Sequence, residues 1–222
     1  MFAWLTWDLP GWMAMCALAA TLFGAIKLAT LRGYARNASC GRLAGYLFAW
    51  VGLDARAFFG PAEAAAPRRR EWGFAIAKTV LGIALALWAI RARLGYAATC
   101  MGLVGLLLAF HFGALHLLSC MWRANGVMAR PIMRAPIAAT SLASLWGERW
   151  NLAFADAARR FLLKPLARPL GAHGAGLAVF FFSGLVHEIV ISVPARGGWG
   201  LPTLYFVLNG LGVVVEKSAL GR

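Results

Sequence analysis

The most constraining feature of the sequence is a series of apolar segments about as long as a lipid bilayer is thick. A transmembrane helix needs about 20 mostly apolar residues. Five segments meet or approach this length, at residues 11–31, 72–90, 97–119, 175–193 and 200–216. Hydrophobic residues make up 61% of the 222-residue chain and charged residues only 14%, whereas an ordinary globular domain has roughly a quarter charged. The chain is therefore predicted to be an all-α polytopic membrane protein.

A further apolar segment, residues 43–60, differs from these spans. Asp54 and Arg56 interrupt it, so we interpret it as a re-entrant or interfacial piece. The overall prediction is about five to seven transmembrane or re-entrant helices plus an interfacial amphipathic helix, in a single integral membrane domain over residues 1–222. We divide that domain into N-terminal helices, a cytoplasmic loop with the interfacial helix, and C-terminal helices, at residues 1–120, 121–174 and 175–222.

The net charge of +14 comes from Lys and Arg residues that cluster between the apolar segments. Nucleic-acid-binding chains instead carry such residues along one face or in a tail, so we predict no nucleic-acid partner. The clusters fall mainly in two loops, residues 32–70 and 121–174. Cytoplasmic loops of membrane proteins carry an excess of Lys and Arg. Both loops are therefore predicted to face the cytoplasm.

The second of these loops contains an amphipathic pattern. Apolar residues recur at helical spacing from Trp146 to Phe161, and charged residues occupy much of the remainder. The pattern predicts an interfacial helix that ends near Pro165. Its basic residues would meet anionic lipid head groups, and the same helix could also carry a catalytic group.

Two ionisable residues, His187 and Glu188, lie within the apolar stretch FFFSGLVHEIVIS, residues 180–192. Each surrounding Leu, Ile, Val or Phe favours insertion by roughly 0.3–0.6 kcal/mol, against roughly 2.5–3.5 kcal/mol for one central charge. The segment can therefore insert, and ionisable residues at such depth usually mark a functional path. Ser183 and Gly184 share the helix face of His187, which leaves room for a substrate chain or for a neighbouring helix. The alternative is a histidine that only hydrogen-bonds another helix.

The last apolar segment carries a polar stripe. Tyr205, Asn209, Gly212 and Glu216 follow one another at spacings of four, three and four residues, so they share one helix face. The stripe either lines a functional interior or joins helices, with Asn209 as the interhelical hydrogen-bonding residue.

A metal site is not predicted. His187 begins an HExxH-like pattern, but Ile191 stands where the second histidine is needed. His111 and His116 are five residues apart, about 140° around a helix, so they do not share a face. The four cysteines form no CxxC pair, which favours free packing thiols. His173, in the glycine-rich stretch GAHGAG, is predicted to be a solvated loop residue.

Two short motifs occur in order in the C-terminal half. The first, within SLASLWGERWNLAF at residues 141–154, contains Trp146, Gly147, Arg149, Trp150 and Asn151 in a Trp-Gly-x-Arg-Trp-Asn pattern. The second contains Ser183, Gly184, Leu185, His187 and Glu188 in a Ser-Gly-Leu-x-His-Glu pattern. Together they resemble the wax synthase branch of the membrane-bound O-acyltransferase superfamily. A weaker similarity relates GLDARAFF, residues 52–59, to a Gly-Met-Asp-Ala-Arg-type stretch in bacterial relatives.

Two departures from the family pattern, Leu145 and Glu148, bear on the substrate more than on the reaction class. Members of the family are usually longer, so the resemblance implies a compact member or a fragment that lacks terminal helices. It also implies an integral membrane protein in a bacterial inner (cytoplasmic) membrane.

The resemblance implies acyl-CoA-dependent ester synthesis, with a lipophilic hydroxyl acceptor such as a long-chain alcohol and a wax ester as product. It implies His187 as the catalytic histidine and Asn151 as its partner. With the polar stripe, the candidate substrate-binding residues are Trp146, Arg149, Trp150, Ser183, Glu188 and Asn209. Acyl-CoA is the expected co-substrate, and no other cofactor is expected.

The chemistry requires a base, because an alcohol is a poor nucleophile at neutral pH. Imidazole can take up and release a proton in this range, which suits His187. The oxyanion that develops on the thioester carbonyl needs hydrogen-bond donors, and the Asn151 amide could be one. Asn151 could equally orient the histidine or bind CoA, and Arg149 could contact the CoA phosphates.

Two rival hypotheses come from other classes of protein. In the first, the chain is a small transporter or channel subunit with a proton relay through His187 and Glu188. In the second, it is a non-catalytic membrane scaffold. The relay predicts that Glu188→Gln damages function as much as His187→Ala, and the scaffold predicts that neither substitution matters beyond folding.

Overall fold

The computed structural model describes residues 9–34, 38–61, 64–92 and 95–218. These described residues are 78% helical and contain no β-strand. The prediction of an all-α membrane protein is therefore confirmed.

The first half of the chain contains two short and several long helices. They are α1 (Gly11–Thr30), α2 (Cys40–Phe48), α3 (Ala55–Phe59), α4 (Arg69–Ala92), α5 (Tyr96–Leu107) and α6 (Leu115–Ala124). A π-helical segment, Leu108–Ala114, joins α5 and α6 into one continuous helical element.

The second half is helical with several distortions. Its helices are α7 (Leu142–Ser144), α8 (Leu152–Ala158), α9 (Lys164–His187), α10 (Val193–Ala195) and α11 (Leu201–Lys217), with a 3₁₀ turn at Pro136–Ala138. Three π-helical turns lie between them, at Leu145–Arg149, Arg159–Leu163 and Glu188–Ser192. Such turns are rare and frequently occur at functional sites.

Within the described residues, four helical segments are long and apolar enough to cross a membrane: Gly11–Thr30, Arg69–Ala92, Tyr96–Ala124 and Leu152–Ala195. They contain or closely match four of the five predicted spans. The fifth corresponds to α11, which has 17 residues, at the lower limit of about 17 residues for a span. Helices α2 and α3, which occupy the interrupted segment, have 9 and 5 residues and are each too short to span a bilayer.

The chain forms two compact units that do not follow chain order. The first unit takes its described residues from the ranges 1–30, 139–146 and 154–222, and the second takes its described residues from 31–138 and 147–153. The boundary between the units therefore falls within the first motif. Trp146 belongs to the first unit, and the rest of the motif belongs to the second. The three-part division predicted from the sequence remains a prediction.

In the first unit, α9 and α11 approach closely at glycines. A Cβ on Gly184 would lie 2.6 Å from the Cα of Thr203, and a Cβ on Gly210 would lie 3.0 Å from the ring of Phe180. Small residues allow such backbone approach between helices in a membrane. In α1, Lys27 is buried, with its ammonium 5.5 Å from the ring centre of Phe23.

In the second unit, α4 packs against the continuous element formed by α5 and α6. A Cβ on Gly105 would lie 2.6 Å from the backbone nitrogen of Ala86, and a Cβ on Gly113 would lie 2.8 Å from the Cα of Thr79. These glycines again permit close approach of two long helices.

The predicted interfacial helix, from Trp146 to near Pro165, is wrong in its continuity and its end. Asn151 has a φ of 43° and separates the π turn from α8. Pro165 lies in the first turn of α9, directly after the π turn, so the helical chain continues past it; proline is tolerated in a first turn because its missing N–H is not needed there. The chain instead kinks at Gly171, whose φ of 66° and ψ of 176° are non-helical. His173 is exposed as predicted, but it lies within the span assigned to α9 and not in a loop.

Candidate active site

His187 ends α9 and is half-buried. Its Nδ1 lies 2.7 Å from the carbonyl oxygen of Ser183, one helical turn earlier. A carbonyl oxygen can only accept, so the Nδ1 carries the proton and donates it. In the neutral ring the Nε2 then holds the free lone pair, which is the state that a general base requires.

The two small residues beside His187 have different surroundings. Ser183 contributes its backbone carbonyl to the imidazole, and its side chain is half-buried. Gly184 is buried against Thr203 of α11, with no room for a Cβ. Of the two predicted uses for this space, Gly184 therefore admits the neighbouring helix and not a substrate chain.

Glu188 connects α9 to the start of α11. Its Oε1 accepts hydrogen bonds from the backbone nitrogen of Thr203 at 3.2 Å and from the Thr203 hydroxyl at 3.1 Å. Thr203 lies in the first turn of α11, where backbone N–H groups have no partner within the helix. Glu188 therefore caps α11, whereas His187 contacts Ser183 and Phe206. These divergent contacts give no support to a relay through the two side chains.

Trp146 and His187 meet the same aromatic ring in the first unit. The Phe206 ring lies 4.4 Å from the imidazole and 5.6 Å from the Trp146 ring, centre to centre. Trp146 also packs edge-on against Phe180 at 6.0 Å. The structure thus brings the tryptophan of the first motif and the histidine of the second motif to one aromatic cluster.

Asn209 fixes the orientation of Trp146. Its Oδ1 accepts a hydrogen bond of 3.0 Å from the indole Nε1, and its Nδ2 donates to the carbonyl of Tyr205 at 2.9 Å. The polar stripe predicted either the lining of a functional interior or a contact that joins helices through Asn209. These hydrogen bonds are the second alternative. Contact between Asn209 and a substrate remains a prediction.

Glu216, at the other end of the stripe, was not among the predicted site residues. Its carboxylate oxygens accept from the backbone nitrogens of Leu142 at 2.7 Å and Ala143 at 3.1 Å. The next nitrogen, of Ser144, donates to the Ser141 hydroxyl at 3.0 Å. The i, i+7 spacing from Asn209 to Glu216 was the sequence signal that places both acceptors on one face.

Asn151 belongs to the second unit and holds an unusual backbone conformation. Its φ of 43° is left-handed, a region in which Asn is several-fold enriched among non-glycine residues. Its backbone nitrogen donates to the Met133 sulfur at 3.3 Å, and the nitrogen of Leu152 donates to the carbonyl of Ile132 at 2.8 Å. The predicted partnership of Asn151 with His187 remains a prediction.

The other motif residues of the second unit pack onto neighbouring chain. The Arg149 guanidinium donates to the carbonyls of Arg134 at 3.3 Å and Ala135 at 3.4 Å. Trp150 packs edge-on against Phe112 with ring centres 6.2 Å apart. The binding of phosphate by Arg149 remains a prediction, and so does the binding of substrate by Trp150.

An ionic network in the second unit was not foreseen. Lys78 Nζ lies 2.9 Å from His116 Nδ1, His116 Nε2 lies 3.0 Å from Glu71 Oε1, and Arg123 pairs with Glu71. Ligand-type atoms of Glu71, His116 and Cys120 lie within 4.8 Å of one another, close enough to hold a metal ion. Two cationic side chains already contact His116 and Glu71, however, and their charge disfavours a cation there.

Residues 129–208 match the model of the membrane bound O-acyl transferase family. The match covers both sequence motifs, including Trp146, Asn151 and His187. It confirms the resemblance to membrane-bound O-acyltransferases that the motifs indicated.

The similar curated proteins point to one branch of that family. A long-chain-alcohol O-fatty-acyltransferase of Simmondsia chinensis is 34% identical over 111 residues, which cover 44% of this chain and 31% of that protein. Probable long-chain-alcohol O-fatty-acyltransferases 9 and 1 of Arabidopsis thaliana are each 36% identical, over 43% and 41% of this chain and 32% and 29% of their own lengths. The alignments therefore span about a third of these relatives, and the wax synthase branch is the one that the chain resembles. No solved structure matches.

Proposed function

We propose that this chain forms a membrane-embedded O-acyltransferase that moves a fatty acyl group from acyl-CoA to a long-chain alcohol. The names of the similar proteins support the reaction class and the acceptor. The single structural observation that carries the proposal is the imidazole of His187, held half-buried with the proton on Nδ1.

In the proposed reaction, His187 acts first as a base. The proton of the alcohol hydroxyl moves to Nε2 while the alcohol oxygen attacks the thioester carbonyl carbon. A tetrahedral intermediate forms, and the carbon–sulfur bond then breaks. The proton on Nε2 passes to the departing CoA sulfur, which yields the ester and free CoA thiol and regenerates the neutral imidazole. One residue therefore serves as base and then as acid.

The intermediate carries a negative oxygen that needs hydrogen-bond donors. We assign the side-chain amide of Asn151 to this role, because a positioned amide is a typical oxyanion donor. Its left-handed backbone supports this assignment, since residues held in sparsely populated conformations cluster at active sites.

The two substrates would arrive from different phases. Acyl-CoA is water-soluble at its CoA end and would enter from the cytoplasm, where Arg149 could meet its phosphates. A long-chain alcohol would arrive through the bilayer. A bacterial inner membrane is part of this proposal and rests on the GLDARAFF similarity, while the relatives above are plant proteins.

The proposal is tested with membranes that contain the wild type, His187→Ala or His173→Ala. His173 is the matched control because it is an exposed histidine on the same helix. Each membrane receives labelled palmitoyl-CoA and a panel of long-chain alcohols, acylglycerols and sterols, and new esters are measured at equal amounts of folded protein. Ester formed by the wild type and His173→Ala but lost in His187→Ala supports the proposal. Equal synthesis by all three removes His187 from the mechanism, and a wild type that makes no ester from any acceptor contradicts the proposed function.

A further inference from the structure

Helix α11 holds the segment that carries Trp146 at two separate points. Asn209 accepts a hydrogen bond from the indole nitrogen at 3.0 Å. Glu216 accepts from the backbone nitrogens of Leu142 and Ala143 at 2.7 Å and 3.1 Å. Asn209 and Glu216 are seven residues apart, two helical turns, so both acceptors project from the same face of α11.

The held segment is close to His187 through one ring. Trp146 packs on Phe206, and Phe206 packs on the imidazole at 4.4 Å. Phe206 is only 8% exposed, so its ring is confined between these neighbours. The Ser183 carbonyl holds Nδ1, and the Phe206 ring limits how far the imidazole can rotate about that hydrogen bond.

We propose that Asn209 and Glu216 are positioning residues that act on the His187 imidazole through Trp146 and Phe206. In this role neither residue touches a substrate. Loss of either anchor lets Trp146 and Phe206 shift, and Nε2 then points away from the alcohol for part of the time. The catalytic consequence rests on the proposed function, whereas the effect on the imidazole does not.

The hydrogen bond between Trp146 and Asn209 can be broken from either end. Asn209→Leu removes the acceptor at similar size, and Trp146→Phe removes the donor while a ring remains. Glu216→Gln keeps the shape of the side chain but removes its charge and one of the two accepting oxygens. Leu208→Ala is the matched control, because Leu208 is the neighbour of Asn209 on α11 and is 57% exposed.

For ester synthesis, we expect kcat to fall about tenfold or more in Asn209→Leu and Trp146→Phe, with KM within about threefold of wild type. The double variant that combines Asn209→Leu with Trp146→Phe should have a kcat no lower than that of the slower single variant, because both changes remove the same hydrogen bond. Glu216→Gln should lower kcat in the same way, and Leu208→Ala should stay within about twofold of the wild-type kcat. Additive losses in the double variant, or losses confined to KM, would overturn the positioning role.

A second measurement does not depend on activity. The chain has 4 histidines, so the imidazole nitrogen NMR signals of ¹⁵N-histidine-labelled protein in detergent can be assigned by single substitutions. We expect the His187 signals to shift or broaden in Asn209→Leu, Trp146→Phe and Glu216→Gln. The His116 signals should not change, because Glu71 and Lys78 hold that ring within the second unit.

The two measurements separate the inference from the proposed function. His187 signals that stay unchanged in folded variants overturn the inference, whatever the activity. A wild type that makes no ester contradicts the proposed function, while the NMR comparison still decides whether Asn209 and Glu216 position the ring. If Asn209→Leu does not fold, the same kcat and NMR measurements on Glu216→Gln and Trp146→Phe test the inference.

Discussion

The imidazole Nδ1 of His187 lies 2.7 Å from the backbone carbonyl oxygen of Ser183, four residues earlier on α9. The contact needs no second side chain, because the helix itself presents that carbonyl to the residue one turn later. Many catalytic histidines depend on a carboxylate for the same purpose. Here the tautomer of His187 depends on the helix backbone.

This relationship predicts that Ser183→Ala leaves His187 able to act as the proposed base. The substitution removes the hydroxyl but leaves the carbonyl that accepts from Nδ1, so kcat for ester synthesis should stay within about threefold of wild type. The steady-state rate at saturating alcohol measures this. A loss of more than about tenfold would show that the Ser183 hydroxyl takes part in the chemistry, and a rise confined to KM would agree with its predicted contact with substrate.

We expect substitutions of Glu188 to act mainly on the stability of the protein and less on the chemical step. Glu188→Ala leaves the N–H of Thr203 without its acceptor, so we expect it to destabilise the start of α11. Glu188→Gln keeps an accepting oxygen and should retain part of the activity. Thr203→Val removes only the hydroxyl donor and should cost less stability than Glu188→Ala.

Thermal unfolding in detergent ranks the three variants, and ester synthesis at matched folded protein completes the comparison. The expected order of destabilisation is Glu188→Ala, then Thr203→Val, then Glu188→Gln. A normally folded Glu188→Gln that makes as little ester as His187→Ala would show that Glu188 does more than cap α11.

The sequence predicted the fold class because apolar segments of bilayer length leave few alternatives to helices. It indicated His187 as a candidate site residue for a related reason, since an ionisable group in an apolar span stands out. The spacing from Tyr205 to Glu216 likewise identified one face of α11. Each of these features depends on residues that are close in the chain.

The sequence could not predict features that depend on distant partners. The helical pattern from Trp146 continues through Asn151, and only the backbone contacts to residues 132–134 reveal the left-handed break there. In the same way, the spacing of His111 and His116 argued against a metal pair but could not show that Glu71 and Lys78 reach His116 from another helix. The sequence alone left Gly184 open to a substrate or to a helix, and Thr203 of α11 occupies that space.

Gly184→Ala should separate α9 from α11. The added Cβ would lie 2.6 Å from the Cα of Thr203, a backbone atom that cannot rotate away. We expect a loss of about 1–3 kcal/mol or more in stability, together with reduced ester synthesis, because the helices that hold His187 and Phe206 must move. The midpoint of thermal unfolding in detergent measures the first effect.

Gly176→Ala is the matched control on the same helix. No heavy atom lies within 4 Å of a Cβ at that position, and alanine favours a helix over glycine by up to about 1 kcal/mol. The control should therefore be neutral or stabilising. Equal unfolding midpoints for the two variants would contradict the close packing of α9 against α11 at Gly184.

Asn151 offers a test that separates chemistry from conformation. Asn151→Gly removes the side-chain amide but keeps easy access to the φ of 43°, whereas Asn151→Ala removes the amide and makes that conformation about 1–2 kcal/mol less favourable. If the amide serves as the oxyanion donor, both variants should lose about 100-fold or more in kcat. Only Asn151→Ala should also unfold at a lower temperature. Full activity in Asn151→Gly would instead assign the residue to the backbone turn between the π turn and α8, because the conformation would then be the only property that the position needs.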